Sequence, residues 1–170
     1  MYSDKRVTSG MRMMRQSAID SYILFEVLGY FLVLHYAYPH QNASYVVDAV
    51  RTSIDGLELS NSVVFGDFSF NSYKDTRRSQ FIKLYDSLAV LGILHEPLAH
   101  DRFTYPSPLA VSCIDHVFSA ESCLSSVVFL DHSLQSHDHM ALKFELACSG
   151  FSVQFTCNNT KAWRFRKVKG

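Results

Sequence analysis

Residues 19–38 form a nearly unbroken apolar and aromatic run, Ile19-Asp20-Ser21-Tyr22-Ile23-Leu24-Phe25-Glu26-Val27-Leu28-Gly29-Tyr30-Phe31-Leu32-Val33-Leu34-His35-Tyr36-Ala37-Tyr38. What this run becomes limits what the rest of the chain can be. It is long enough to cross a bilayer as one helix. Asp20, Glu26 and His35 lie inside it, however, and a charged group at the centre of a membrane helix costs about 3 kcal/mol. Leu28-Gly29 also divides it into two β-branched and aromatic halves. The run therefore predicts two paired strands, about 19–27 and 30–37, with Pro39 ending the second because it has no N–H for a ladder.

The next constraint is Val63-Val64-Phe65-Gly66-Asp67-Phe68-Ser69, bounded by Ser62 and Asn71. It reads as a short buried strand that breaks at a glycine and presents the Asp67 carboxylate at its end, where a rigid frame meets an open loop. Before it, Val46, Val47, Val50, Ile54 and Leu57 recur at helical spacing. They predict a helix over 43–56 with Asn42 as N-cap and Gly56 as stop. After it, Phe81, Leu84, Tyr85, Leu88 and Leu91 predict a second helix over 76–91, capped by Asp75 or Thr76 and closed by Gly92. From there the texture is strands, near 102–105, 113–118, 124–131, 140–147 and 151–157, punctuated by Ser107-Pro108 and Ser149-Gly150. Residues 1–18 show no clear period. Strands, helix, strand, helix and a run of strands give an α/β fold of the α+β type, a layered β-sandwich flanked by helices. No repeat or linker divides the chain.

Nearly half of the 170 residues are apolar, so the chain can bury a core. Its net charge of zero gives no global argument for nucleic acid or membrane. The exception is local. Lys161, Arg164, Arg166, Lys167 and Lys169 make the C-terminus basic, a solvated tail or a phosphate contact. Cys113, Cys123, Cys148 and Cys157 contain no CxxC pair and no zinc spacing, which fits free thiols in a reducing compartment. Lys5 and Arg6 are not followed by a signal-peptide pattern. The expected location is intracellular, nuclear or cytoplasmic, and not secreted.

Three acid and acid–histidine stretches stand out: Asp67 ends one strand, Asp115 lies inside another with His116 beside it, and Asp138-His139 immediately precede the strand of Met140-Ala141-Leu142. Such sets suit metal-assisted phosphoester cleavage. Carboxylates hold a hard cation and can orient water, and an imidazole fixed by an acid can serve the phosphate. Each pair alone reads more readily as a strand terminator. His132, His137 and His139 have no thiolate partner for zinc.

Gly66-Asp67-Phe68-Ser69, Ser112-Cys113-Ile114-Asp115-His116 and Asp138-His139 follow the order and rough spacing of the endonuclease/exonuclease/phosphatase superfamily signatures Gly-Asp-Phe-Asn, Ser-x-Ile-Asp-His and Ser-Asp-His. The chain most resembles the endonuclease domain of non-LTR (LINE-type) retrotransposons. Tyr36-Ala37-Tyr38-Pro39 is similar to that branch's Tyr-x-Pro-Pro turn. Phe103-Thr104-Tyr105 is similar to its Phe-Thr-Tyr strand. Ala162-Trp163-Arg164-Phe165-Arg166-Lys167-Val168 resembles the stretch leading to reverse transcriptase.

The resemblance runs from about Tyr22 to Lys167 and implies a C-terminal portion of the domain. It assigns 1–157 to a partial domain and 158–170 to a basic tail leading toward a reverse transcriptase. The family's metal-binding Glu has no counterpart in residues 1–21, where Asp4 and Asp20 are the acids. Two positions depart from the signatures: Ser69 replaces Asn, and in Ser136-His137-Asp138-His139 one histidine intervenes in the third box or replaces its Ser.

The resemblance implies a magnesium-dependent DNA-nicking phosphodiesterase, truncated and impaired. In that reading Asp67 orients water or sits near Mg2+, Asp138 helps bind Mg2+, Asp115 holds His139, and His139 stabilises the phosphate. Tyr36 and Ser69 contact the phosphate, and Thr104 and Ser112 contact the DNA backbone. The alternatives are an active superfamily phosphodiesterase on RNA ends or phosphoinositides, and a non-catalytic remnant that binds a partner.

Overall fold

The computed structural model describes the backbone of residues 11–38, 41–72, 78–96, 105–106, 111–121, 123–130, 141–147, 151–157 and 163–168. The apolar run is two strands, β2 (Tyr22–Val27) and β3 (Tyr30–Tyr36), paired antiparallel from Tyr22↔His35 to Val27↔Tyr30. Both turn residues have positive φ, Leu28 at 51° and Gly29 at 80°, as a two-residue hairpin with right-handed strand twist requires. Among the described residues no helix is long and apolar enough to cross a membrane.

After β3 the chain crosses through α1 (Ala43–Ile54) to β4 (Ser62–Asp67), which pairs parallel with β3. The Asn42 side chain caps α1 by accepting from the Tyr45 N–H at 2.9 Å, satisfying an otherwise orphaned donor. Then follow α2 (Arg78–Ala89), the short β5 (Ile93–His95), a two-strand ribbon of β6 (Tyr105–Pro106) and β7 (Val111–Ser112), and β8 (Asp115–Ala120). With β1 (Met11–Ser17), the main sheet has the order β1-β2-β3-β4-β8-β5. The second sheet, order β12-β11-β10-β9, is a meander of β9 (Leu124–Leu130), β10 (Ala141–Leu146), β11 (Phe151–Cys157) and β12 (Trp163–Val168).

The main sheet is covered on both faces. Val33, Val64, Phe68 and Phe118 pack against Val46, Val47, Val50 and Ile54 of α1 and Leu84 and Leu88 of α2. Leu32, Leu34, Val63, Phe65 and Val117 pack on the other face with Phe144 and Leu146 of β10. This explains the unbroken apolar reading of β4: all six of its residues are buried, as expected of a strand with two covered faces. The layers are helices, sheet and sheet, an α/β sandwich as the sequence predicts.

Three strands differ from the sequence reading. β1 shows no period in its sequence. It is an edge strand with both faces largely exposed, so no burial period is imposed on it. β5 has only three residues, too few for a pattern. Trp163–Val168, read as part of a basic tail, pairs along its whole length with β11. The proposed caps Asp75 and Thr76 lie outside the described residues.

Candidate functional site

Sheet register brings Tyr36, Asp67 and Asp115 into one row. Tyr36 is the partner of Asp67 across the parallel β3/β4 pair. Asp67 is the partner of Asp115 across the antiparallel β4/β8 pair. Because side chains alternate along a strand, all three share the face of Leu34, Phe65 and Val117, the face that packs on β10. Neighbouring strands are about 5 Å apart, so a tyrosine and two carboxylates stand side by side where three strands end or begin. Asp67 and Asp115 are each 5% exposed.

The loop after β4 is tied to both neighbours. Ala37 N donates to Asp67 O at 2.7 Å, Phe68 N to Ile114 O at 2.9 Å and Ser72 N to Cys113 O at 3.1 Å. Cys113 N donates to the buried Asn71 Oδ1 at 3.2 Å. Asn71 is a structural member of the site that its sequence neighbourhood does not single out. Its function is a long-range backbone bond, which leaves no local pattern.

Ser69, read as a phosphate contact, sits with φ at +52°. Its N–H donates to Asp67 Oδ1 at 2.8 Å, and its hydroxyl lies 2.9 Å from Ala37 O and 3.3 Å from Asp67 Oδ1. A hydroxyl has one proton, and Ala37 O is the nearer acceptor. Ser69 thus braces the Asp67 carboxylate and ties β4 to the end of β3. Ser69→Ala is expected to destabilise the protein by about 1 kcal/mol, the worth of one net hydrogen bond, because the left-handed backbone remains while its tether is lost. Chemical denaturation checks this.

Ser112 lies in β7, where it pairs with Tyr105. Thr104, Asp138 and His139 lie outside the described residues, as do His132 and His137.

His116, next to Asp115 in sequence, points to the opposite face. There it joins a buried aromatic layer with His95, Phe68, Phe81 and Phe118. A carbonyl can only accept, so His116 Nε2 donates to Phe70 O at 2.8 Å. Its Nδ1 then accepts from His95 Nε2 at 3.2 Å. Burial pushes His116 down to about 3, helped by the neighbouring His95 and opposed by the Phe70 carbonyl. Burial also lowers His95 to about 4. His35 lies in the same layer, its ring 5.3 Å from Phe68, and burial lowers it to about 4 against the pull of Asp20. His35 and His116 are buried and His95 is half-buried, and all three imidazoles are neutral at physiological pH.

No protein-family model matches the sequence, and no curated protein matches it. Solved structures do. The endonuclease domain of TRAS1, a telomere-specific non-LTR retrotransposon, aligns at TM-score 0.59 and 15% identity, over 80% of this chain and 67% of that domain. The 3'-5' exonuclease NExo from Neisseria meningitidis aligns at TM-score 0.55 and 15% identity, over 80% of this chain and 70% of its own. The 3' phosphatase NExo from Neisseria, bound to a product DNA hairpin, aligns at TM-score 0.58 and 14% identity, over 81% and 70%. The chain has the endonuclease/exonuclease/phosphatase fold.

Proposed function

We propose that the chain is a nuclease-type phosphodiesterase directed at DNA, with low turnover. The observation that supports this most is the Tyr36–Asp67–Asp115 row at adjacent strand ends of a sheet whose fold is that of nucleases and phosphatases. In this reading Asp67 orients the attacking water, Tyr36 steadies the scissile phosphate, and Asp115 fixes the tautomer and direction of His139, which stabilises the phosphate. Thr104 and Ser112 contact the DNA backbone.

Among the described residues no group of three or more His, Cys, Asp or Glu could hold a metal. Magnesium asks for less, one or two carboxylates completed by water and substrate phosphate. The oxygen-only donors of the row fit it, with Asp67 and Asp138 the residues that would hold it. Once bound it would supply charge stabilisation for the departing oxygen. Low turnover follows from Ser69, which stands where the family has Asn and whose hydroxyl proton goes to Ala37 O. One lost donor to a developing charge lowers rate on the order of a hundred- to a thousandfold.

The test is supercoiled plasmid with magnesium. Little or no nicking is expected, and what there is should vanish in Asp67→Ala and His139→Ala. Nicking that survives both alanine variants would remove the site. Robust nicking that disappears in them would show that another carboxylate completes the centre, with Asp20 and Glu26 the first candidates. Phosphate release from a 3'-phosphorylated oligonucleotide, without nicking, would favour a phosphatase instead.

A further inference from the structure

Tyr38 follows β3 by two residues and is 50% exposed. Isolated surface aromatics are common and need no function. Tyr38 differs in how it is held and where. Its N–H donates to Gln41 Oε1 at 2.9 Å, and Gln41 N–H donates back to Tyr38 O at 3.0 Å. The preceding residue is tied to β4 by the bond from Ala37 N to Asp67 O. The Tyr38 ring stands edge-on to the Tyr36 ring, with centroids 5.4 Å apart and planes at 84°. Tyr36 is the register partner of Asp67. The Tyr38 backbone is thus fixed, its ring rests on that of Tyr36, two residues along the chain, and half of the residue's surface is open to solvent.

We propose that Tyr38 is a stacking platform for one unpaired nucleobase beside the phosphate held at the Tyr36–Asp67–Asp115 row. The identity of the ligand rests on the nuclease reading above. A ring fixed in place pays little entropy on stacking, and every base offers a π-face, so the contact is tolerant of sequence. In a duplex both faces of a base are already covered by its neighbours. Tyr38 therefore favours single-stranded or frayed DNA over paired DNA.

The test measures binding apart from cleavage. The 170-residue chain in EDTA is titrated into a fluorescein-labelled single-stranded oligonucleotide and, separately, into a hairpin duplex of the same length. Wild type is expected to bind the single strand more tightly. Tyr38→Ala should weaken that binding about tenfold, within the range of one lost base stack, and abolish the preference. Tyr38→Phe should keep both. Tyr38→Leu, which retains apolar bulk without a π-face, should behave as Tyr38→Ala and guards against a folding artefact.

Unchanged binding by Tyr38→Ala, equal wild-type binding to hairpin and single strand, or no binding to either overturns the proposal. The two readings fail separately. Single-strand binding that depends on Tyr38, with nicking that survives both Asp67→Ala and His139→Ala, removes the cleavage site and keeps the platform. Nicking that depends on Asp67, with binding indifferent to Tyr38, does the reverse.

Discussion

Gly66→Ala is expected to leave little or no folded protein. Gly66 has φ at +136°, a backbone conformation that L side chains rarely adopt. A Cβ built there would overlap the carbonyl oxygen of His35 and lie 3.1 Å from its carbonyl carbon. Both contacts are backbone, so no side-chain rotation relieves them. His35 and Gly66 are register partners at the centre of the main sheet, and separating β3 from β4 would open both cores. A loss of about 4 kcal/mol or more places this change in the exceptional class, against a total stability of roughly 5–15 kcal/mol for an ordinary domain. Soluble yield and thermal melting provide the measurement. Gly56→Ala is the control, since Gly56 also has positive φ, at 75°, but nothing within 4 Å of the added carbon. It should cost about 1 kcal/mol. A Gly66→Ala protein that melts within a few degrees of wild type would contradict the strand packing described here.

The second large effect is loss of stability in mild acid. His35, His95 and His116 are lowered from 6.5 to about 4, 4 and 3. The unfolded chain therefore binds more protons than the folded one between pH 6.5 and those values. Stability is full above about pH 6.5 and falls as pH drops through the window, ending near each folded value. His35 alone contributes a loss of about 3 kcal/mol across it, and the His95–His116 pair adds to the same slope.

His35 isolates the effect. It is fully buried, and neither ring nitrogen has a hydrogen-bond partner among the described residues. His35→Phe removes the titrating group and two unsatisfied polar atoms while keeping a ring against Phe68. At pH 7 the variant should be at least as stable as wild type. By pH 5 its advantage should have grown by about 2 kcal/mol. Denaturant unfolding at several pH values gives both curves, and parallel curves would show that His35 does not titrate on unfolding.

Some of this architecture was legible in particular residues. Glu26 and the Leu28-Gly29 break identify the hairpin, because a single helix cannot use a turn at its centre. Asn42 and Gly56 bracket α1, whose apolar residues repeat at a spacing that nothing but a helix satisfies. The signature boxes around Asp67 and Asp115 point to the fold that the structural neighbours share. Local chemistry carries these features, since each rests on residues within one turn or one element. β1 and β12 escaped notice for the opposite reason. An edge strand with little burial has no alternation to read, and a run of arginines and lysines reads the same whether it pairs or not.

The sequence by itself determined the core helices and strands other than β5, the mixed α/β class and the residue types available for chemistry. Only the tertiary structure decided how they meet. Tyr36, Asp67 and Asp115 share a row because parallel and antiparallel pairing set their register, and a shift of one residue would send each to the opposite face. The same alternation separates Asp115 from His116, adjacent in the chain, into a polar strand-end row and a buried histidine layer. Register is a long-range property, set by packing on both faces of the sheet at once, and no local periodicity encodes it.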